Sequence, residues 1–90
     1  MYAFRWNEWN VEHIGRHGLA PAEAEYVVDR ARAPYPQRLG AGRFLVVGRT
    51  AGGAYVQVVY VFDPPGVVFV IHARPLRERE KRRWRRRRRR

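Results

Sequence analysis

The chain is 90 residues long, has no cysteine, and carries 19 Lys and Arg against 8 Asp and Glu, a net charge of +11. That length makes one domain at most, and the lack of cysteine excludes a disulfide framework and thiolate chemistry. The longest apolar runs are Val67–Ile71 and Tyr55–Phe62, the latter broken by Gln57, and both fall far short of the ~20 residues a membrane helix needs.

No basic region leads into an apolar run near Met1, so no secretory signal is expected. The expected location is cytoplasmic, without a membrane partner. The positive charge sits at one end. Residues 74–90 hold 12 basic side chains against two acids, a net of +10, whereas residues 1–73 hold seven against six. A near-neutral body therefore ends in a cationic arm.

In chain order, Tyr2, Phe4 and Trp6 alternate with Ala3 and Arg5, which predicts a short strand. Asn7 caps a helix with Glu8 in its first turn and Gly18 as its stop. Glu12 and Arg16 make an i,i+4 pair worth ~0.3 kcal/mol. Pro21 opens a second helix, whose stripe is Ala20, Ala24, Val27, Val28 and Ala31, with Glu23 and Glu25 near the positive end of its dipole. Pro34 and Pro36 close it, and 33–42 reads as a loop. Strands follow at about 43–49, 54–62 and 67–73, separated by the turn signals Thr50-Ala51-Gly52-Gly53 and Asp63-Pro64-Pro65-Gly66. A last helix begins near Leu76, with Pro75 at its first position, and frays within Arg85–Arg90. The expectation is a small α+β single domain of order β-α-α-β-β-β-α, an antiparallel meander with helices packed on one face. Residues 1–81 form the domain, and 82–90 a disordered Arg-rich arm.

Four-residue turns would pair Arg49 with Ala54 and Phe62 with Val67. One face would then hold Leu45, Val47, Val56, Val58, Tyr60, Phe62, Val67, Phe69 and Ile71 under the helices. The other would hold Phe44, Val46, Val59, Val61, Val68 and Val70 and end in a polar patch, with Tyr55 opposite Arg74 and Gln57 opposite His72. One bulge would swap the faces beyond it.

The run Trp6-Asn7-Glu8-Trp9-Asn10-Val11-Glu12-His13-Ile14-Gly15-Arg16-His17-Gly18 gathers two histidines, two tryptophans and an arginine. His13 and His17 share a helix face. An imidazole ordinarily titrates near ~6.5, which suits proton transfer or phosphate contact; the plainer role for His17 is capping the helix end before Gly18. As a metal pair they lack a third ligand, and no Glu stands as in H-E-x-x-H, so neither metal nor cofactor is expected. Arg49 and Arg74 stand at strand ends, where guanidinium groups grip phosphate bidentately and stabilise charge in a phosphorane-like transition state. Their plainer role is an ion pair with Glu78 or Glu80. The Arg-rich arm reads as an anchor for phosphate backbones or as a solvated tail, and it lacks the regular apolar face of a membrane-surface helix.

The run Trp6–Gly18 resembles the N-terminal signature W-[DN]-E-x-N-x-x-H-I-x-[RK]-H-G of the BrnT-like toxins, small RelE-type ribonucleases of toxin–antitoxin operons. Gly48-Arg49-Thr50 and Ala73-Arg74-Pro75-Leu76-Arg77-Glu78-Arg79-Glu80-Lys81-Arg82-Arg83-Trp84 look like the family's G-R-T and S-A-R-x-x-x-x-x-E-x-x-x-Y blocks. His72 stands where the family has Ser or Thr, and Trp84 where it has Tyr. The resemblance implies a RelE-like architecture and the toxin of a type II module, a metal-independent endoribonuclease that cuts mRNA through 2′-hydroxyl attack and stops translation. The residues and the resemblance together favour His17, Arg49 and Arg74 for the chemistry, with His13, Tyr55 and His72 as alternative acid/base groups. Trp6, Lys81, Arg82, Arg83, Trp84 and Arg85 would hold RNA. The resemblance also implies an antitoxin, typically a ribbon-helix-helix protein, that masks the site and alone brings the toxin to operator DNA. The alternative is a non-catalytic RNA- or DNA-binding module that works through the arm.

Overall fold

Two asparagines start the fold. In the computed structural model, which describes residues 1–88, strand β1 (Phe4–Arg5) leads into helix α1 (Glu8–Gly15). Asn7 caps α1 as the sequence predicts. Its side chain accepts the Asn10 N–H at 3.1 Å, and the Asn10 side chain accepts the Asn7 N–H at 2.8 Å. Asn10 is fully buried, and its Nδ2 also donates to the Arg5 carbonyl at 3.1 Å. One side chain thus ties helix to strand. The helix ends at Gly15 rather than Gly18. His17 lies in the turn beyond, where the Leu19 N–H donates to the Ile14 carbonyl and Gly18 takes a φ of +77°.

Helix α2 (Pro21–Asp29) has proline at its start, as expected, and the Glu23 carboxylate accepts the Ala20 N–H at 2.9 Å. Ala24, Val27 and Val28 are buried. Ala31, counted in the helical stripe, lies past the helix end but packs on the same core, while Ala20 is exposed.

The sheet has five strands, not four. Strand β2 (Gln37–Gly40) lies within the segment expected to be a loop; it is followed by β3 (Arg43–Arg49), β4 (Tyr55–Asp63) and β5 (Val67–Pro75). The spatial order is β1-β5-β4-β3-β2, with β1 parallel to β5 and all other pairs antiparallel. The element order is therefore β-α-α-β-β-β-β-α and the sheet is mixed. Strand β2 escapes sequence reading because Gln-Arg-Leu-Gly has no apolar alternation. It is a short, polar, exposed edge strand whose order comes from pairing with β3.

Both hairpin registers differ from expectation. The first loop holds five residues, because the Thr50 N–H donates to the Ala54 carbonyl, so Arg49 faces Tyr55 instead of Ala54. The second holds three, Pro64-Pro65-Gly66, with Gly66 at a φ of +119°, so Asp63 faces Val67 and Phe62 faces Val68. A bulge then absorbs Ile71: Tyr60 faces Val70, but Val59 faces His72, Val58 faces Ala73 and Gln57 faces Arg74. Opposed residues share a sheet face. The face under α1 and α2 is thus Val46, Val56, Val58, Tyr60, Val68, Val70 and Ala73, all buried together with Ile14, Val27 and Val28. Leu45, Val47, Val67 and Phe69, expected there, lie on the opposite face, and Val46, Val68 and Val70 lie on the helix-covered one.

That opposite face carries the third helix. Helix α3 (Glu78–Arg88) starts after Pro75, which ends β5 rather than opening the helix. Arg74 bonds Glu80, Tyr55 packs on Trp84, and Leu45, Val47 and Gln57 line a cavity with Leu76, Arg83 and Trp84. The helices therefore cover both faces. The helix runs through the boundary expected between 81 and 82; residues 89–90 of the expected arm lie outside the described residues.

The buried Asn10 gives a test. Asn10→Ala should lower unfolding free energy by about 1–3 kcal/mol, because it orphans the Asn7 N–H and the Arg5 carbonyl. Asn7→Ala should cost only about 1 kcal/mol, as a lost cap. Urea denaturation of both variants checks the ranking.

Candidate functional site

Strand β1 pairs with β5 only at Val68 and Phe69. Beyond that point α1 lies along the β5 edge and reaches both sides of the sheet. Its Ile14 enters the core with Val70 and Ala73. Its Trp9 and His13, with His17 in the turn that follows, meet the other face, where Phe69 and His72 stand. The Trp9 ring stacks on Phe69, with centroids 6.1 Å apart, and on His13 at 5.0 Å with 9° between planes. His72 meets His13 edge-on at 6.3 Å and His17 at 5.8 Å. All three histidines of the chain thus form one cluster, flanked by an indole that is 54% exposed. Among the described residues, no group of His, Asp or Glu side chains is placed to hold a metal ion.

The bulge makes this cluster. Strict alternation from the buried Val68 and Val70 would send His72 into the core. The extra residue Ile71 returns it to the face of Phe69. There burial, then the neighbouring His17, Arg74 and His13, push its pKa below the ordinary histidine value. The fold therefore favours the neutral ring.

Two residues on, Arg74 makes a bidentate pair with Glu80, both Nη–Oε distances being 2.8 Å, and its Nη1 also donates to the Pro75 carbonyl at 3.0 Å. The Glu80 carboxylate accepts the Arg77 N–H as well. The Arg74 guanidinium, then the Arg77 amide, hold its pKa at about 2. The pair fixes the start of α3 on the sheet.

The remaining candidates form a second group. Arg49 lies 5.0 Å over the Tyr55 ring, Arg85 lies 5.4 Å from the same ring, and Trp84 meets it edge-on at 5.2 Å. Tyr55 is four residues from Val59, the partner of His72, which is about 13 Å along the strand at ~3.3 Å per residue. Tyr55, Gln57, His72 and Arg74 share one face as expected, although the predicted pairs do not form: Gln57, not Tyr55, is opposite Arg74, and Val59, not Gln57, is opposite His72. The structure brings His13, His17 and His72 together, puts Arg74 beside them, and keeps Arg49 and Tyr55 apart.

Of the side chains expected to hold RNA, Trp6 is half-buried against the core, with its indole N–H donating to Glu25 at 2.8 Å. Lys81 pairs with Glu78 at 3.2 Å. Arg82, Arg83 and Arg85 are exposed. The outward indole is Trp9, which the sequence offers beside Trp6 as a neighbour of the histidines but which is not among the residues expected to hold RNA. Its spacing is the signal: Trp9 and His13 stand four residues apart on one face of α1, and His17 follows four further on in the turn, whereas Trp6 precedes the cap.

Compared with known proteins, the chain matches no family model, no curated protein and no solved structure.

The cluster has a titration signature. His72 should titrate below an ordinary histidine, and His17→Ala should raise its midpoint by removing a cationic neighbour. Ring-proton NMR against pH, with three histidines to assign, reads both; an unchanged midpoint in the variant would refute the contact.

Proposed function

We propose that the protein is a metal-independent endoribonuclease, the toxin of a type II toxin–antitoxin module that cuts mRNA and so stops translation. The observation that carries this reading is the meeting of three histidines beside an exposed stacking ring. Transesterification of RNA needs a base for the 2′-hydroxyl and an acid for the leaving oxygen, and histidine serves either role near neutral pH.

In the proposed step, neutral His72 takes the 2′-hydroxyl proton. The 2′-oxygen bonds to phosphorus and the bond from phosphorus to the 5′-oxygen breaks. His13 or His17, protonated, gives its proton to that oxygen, leaving a 2′,3′-cyclic phosphate and a 5′-hydroxyl. Trp9 offers a stacking platform, and stacking a base on an aromatic ring is worth ~1–3 kcal/mol. Arg74 holds α3 in place and disfavours a proton on His72. Arg49, Tyr55, Trp84 and Arg85 bind the strand away from the scissile bond. The +10 segment from 74 to 90 suits an acidic stretch of a ribbon-helix-helix antitoxin by charge complementarity, and operator DNA is met only through that partner.

A second reading, a non-catalytic RNA- or DNA-binding module, is favoured by one observation. Both Nη atoms of Arg74 are held by Glu80, so the arginine two residues from His72 already has these donors committed to a carboxylate.

The two readings separate in a cleavage assay with the full chain, a single-stranded RNA oligonucleotide and EDTA. The wild type should leave 2′,3′-cyclic phosphate ends. His72→Ala and His17→Ala should each slow cleavage by about 10²–10⁴-fold, the usual contribution of a proton-transfer group. Undiminished cleavage by His72→Ala, or RNA bound by the wild type but left intact, would sink the ribonuclease reading.

A further inference from the structure

We infer that the protein has a second binding site, built for a nucleoside phosphate, in a cavity at the edge of β3 and separate from the histidine cluster. Strand β2 covers β3 only from Arg43 to Leu45. Beyond it, the end of α2, the segment that follows it and Trp84 of α3 enclose a cavity of about 410 Å³. Six side chains carry its chemistry: Arg30, Arg32 and Arg49, and the rings of Tyr26, Tyr35 and Trp84. Among the described residues, none that lines it is acidic.

Three guanidinium groups around one cavity repel each other unless something anionic lies between them. Among the described residues nothing does so. Among the described residues no carboxylate pairs with Arg30, Arg32 or Arg49. Arg30 is stacked instead over the Tyr26 ring at 3.9 Å, and Arg49 donates to the Gly53 carbonyl at 3.4 Å. Arginine is the side chain best shaped to grip phosphate, through its planar fork of donors. The cations account for the phosphate alone. Half of the six are aromatic, and flat rings beside guanidinium groups accept a heteroaromatic base by stacking. A cavity of this size falls within the range that takes small organic ligands. Phosphate plus planar base in one unit is a nucleotide, either free or as one residue of an RNA strand.

The site stands apart from the scissile bond, although Arg49 and Trp84 are shared with the proposed strand path. Its residues lie on α2, the segment after it, β3 and α3, and none belongs to the histidine cluster. Loss of RNA scission and loss of nucleotide binding are therefore separable: His72→Ala, silent in a cleavage assay, still binds nucleotide.

Isothermal titration of the full chain with the four nucleoside 5′-monophosphates tests the site, with inorganic phosphate and an unphosphorylated nucleoside as controls. A pentaribonucleotide distinguishes a free nucleotide from a strand. At least one monophosphate or the pentamer should bind, and should lose about tenfold in affinity in Arg32→Gln and again in Arg30→Gln, as expected for one charge-assisted contact each. Both arginines are exposed, so folding should be unaffected. Tighter binding of the monophosphate assigns the site to a free nucleotide; tighter binding of the pentamer, still dependent on Arg32, assigns it to the strand. The inference is overturned if inorganic phosphate binds as well as the nucleotides. It is equally overturned if Arg30→Gln and Arg32→Gln bind like the wild type, or if binding disappears only when the chain is shortened after Arg86.

Discussion

Helix α1 docks on the part of the β5 edge that β1 leaves uncovered, and most of the functional geometry depends on that contact. Asn10 fixes how the chain enters the helix, by bonding Asn7 at the cap and the Arg5 carbonyl in β1. Ile14 then anchors the helix in the core beside Val70 and Ala73. With those two points set, the other side of α1 can only project across the β5 edge, where Trp9, His13 and His17 meet Phe69 and His72. The bulge at Ile71 supplies the matching half, since it alone puts Phe69 and His72 on one face.

Among the described residues, the positive charge of α3 stands on a helix that is held to the sheet. The first half of α3 is held to the sheet by the Arg74–Glu80 pair and by Trp84 against Tyr55. Arg82, Arg83 and Arg85 are exposed on the helix beside that contact. A partly buried bidentate pair of this kind contributes orientation more surely than stability. The charged helix and His72 stand on the sheet face opposite α2, and the arginine-lined cavity lies at the edge of β3, lined from both α2 and α3.

Much of the fold is legible in the sequence because its signals are local. Asn7 as a cap, Pro21 at a helix start and the three valine-rich strands are read from neighbours alone. Register is less legible, because it depends on hydrogen bonds inside each turn. Thr50 bonding Ala54 lengthens one loop and Gly66 at positive φ shortens the other, and each slip of one residue turns a strand over. Strand β2 is invisible for a related reason, since its order is borrowed from β3. The site is legible in its residue types but not in its grouping. His13 and His17 announce themselves at helical spacing, whereas His72 joins them only through a bulge with no signature in Val-Ile-His-Ala. The residues of the BrnT-like resemblance are split by the fold, with Arg74 beside the histidines and Arg49 about four residues of strand away.

The claim on which the rest turns is that His72 meets His13 and His17, residues more than fifty positions earlier in the chain. A nuclear Overhauser spectrum of the wild type with ring-labelled histidine reads it directly. The three rings should show cross-peaks from His72 to both His13 and His17, as centroid separations of 6.3 and 5.8 Å require. A His72 ring that shows contacts only to core residues such as Val58 and Val70 would mean that the strand lacks its bulge and that no such cluster exists.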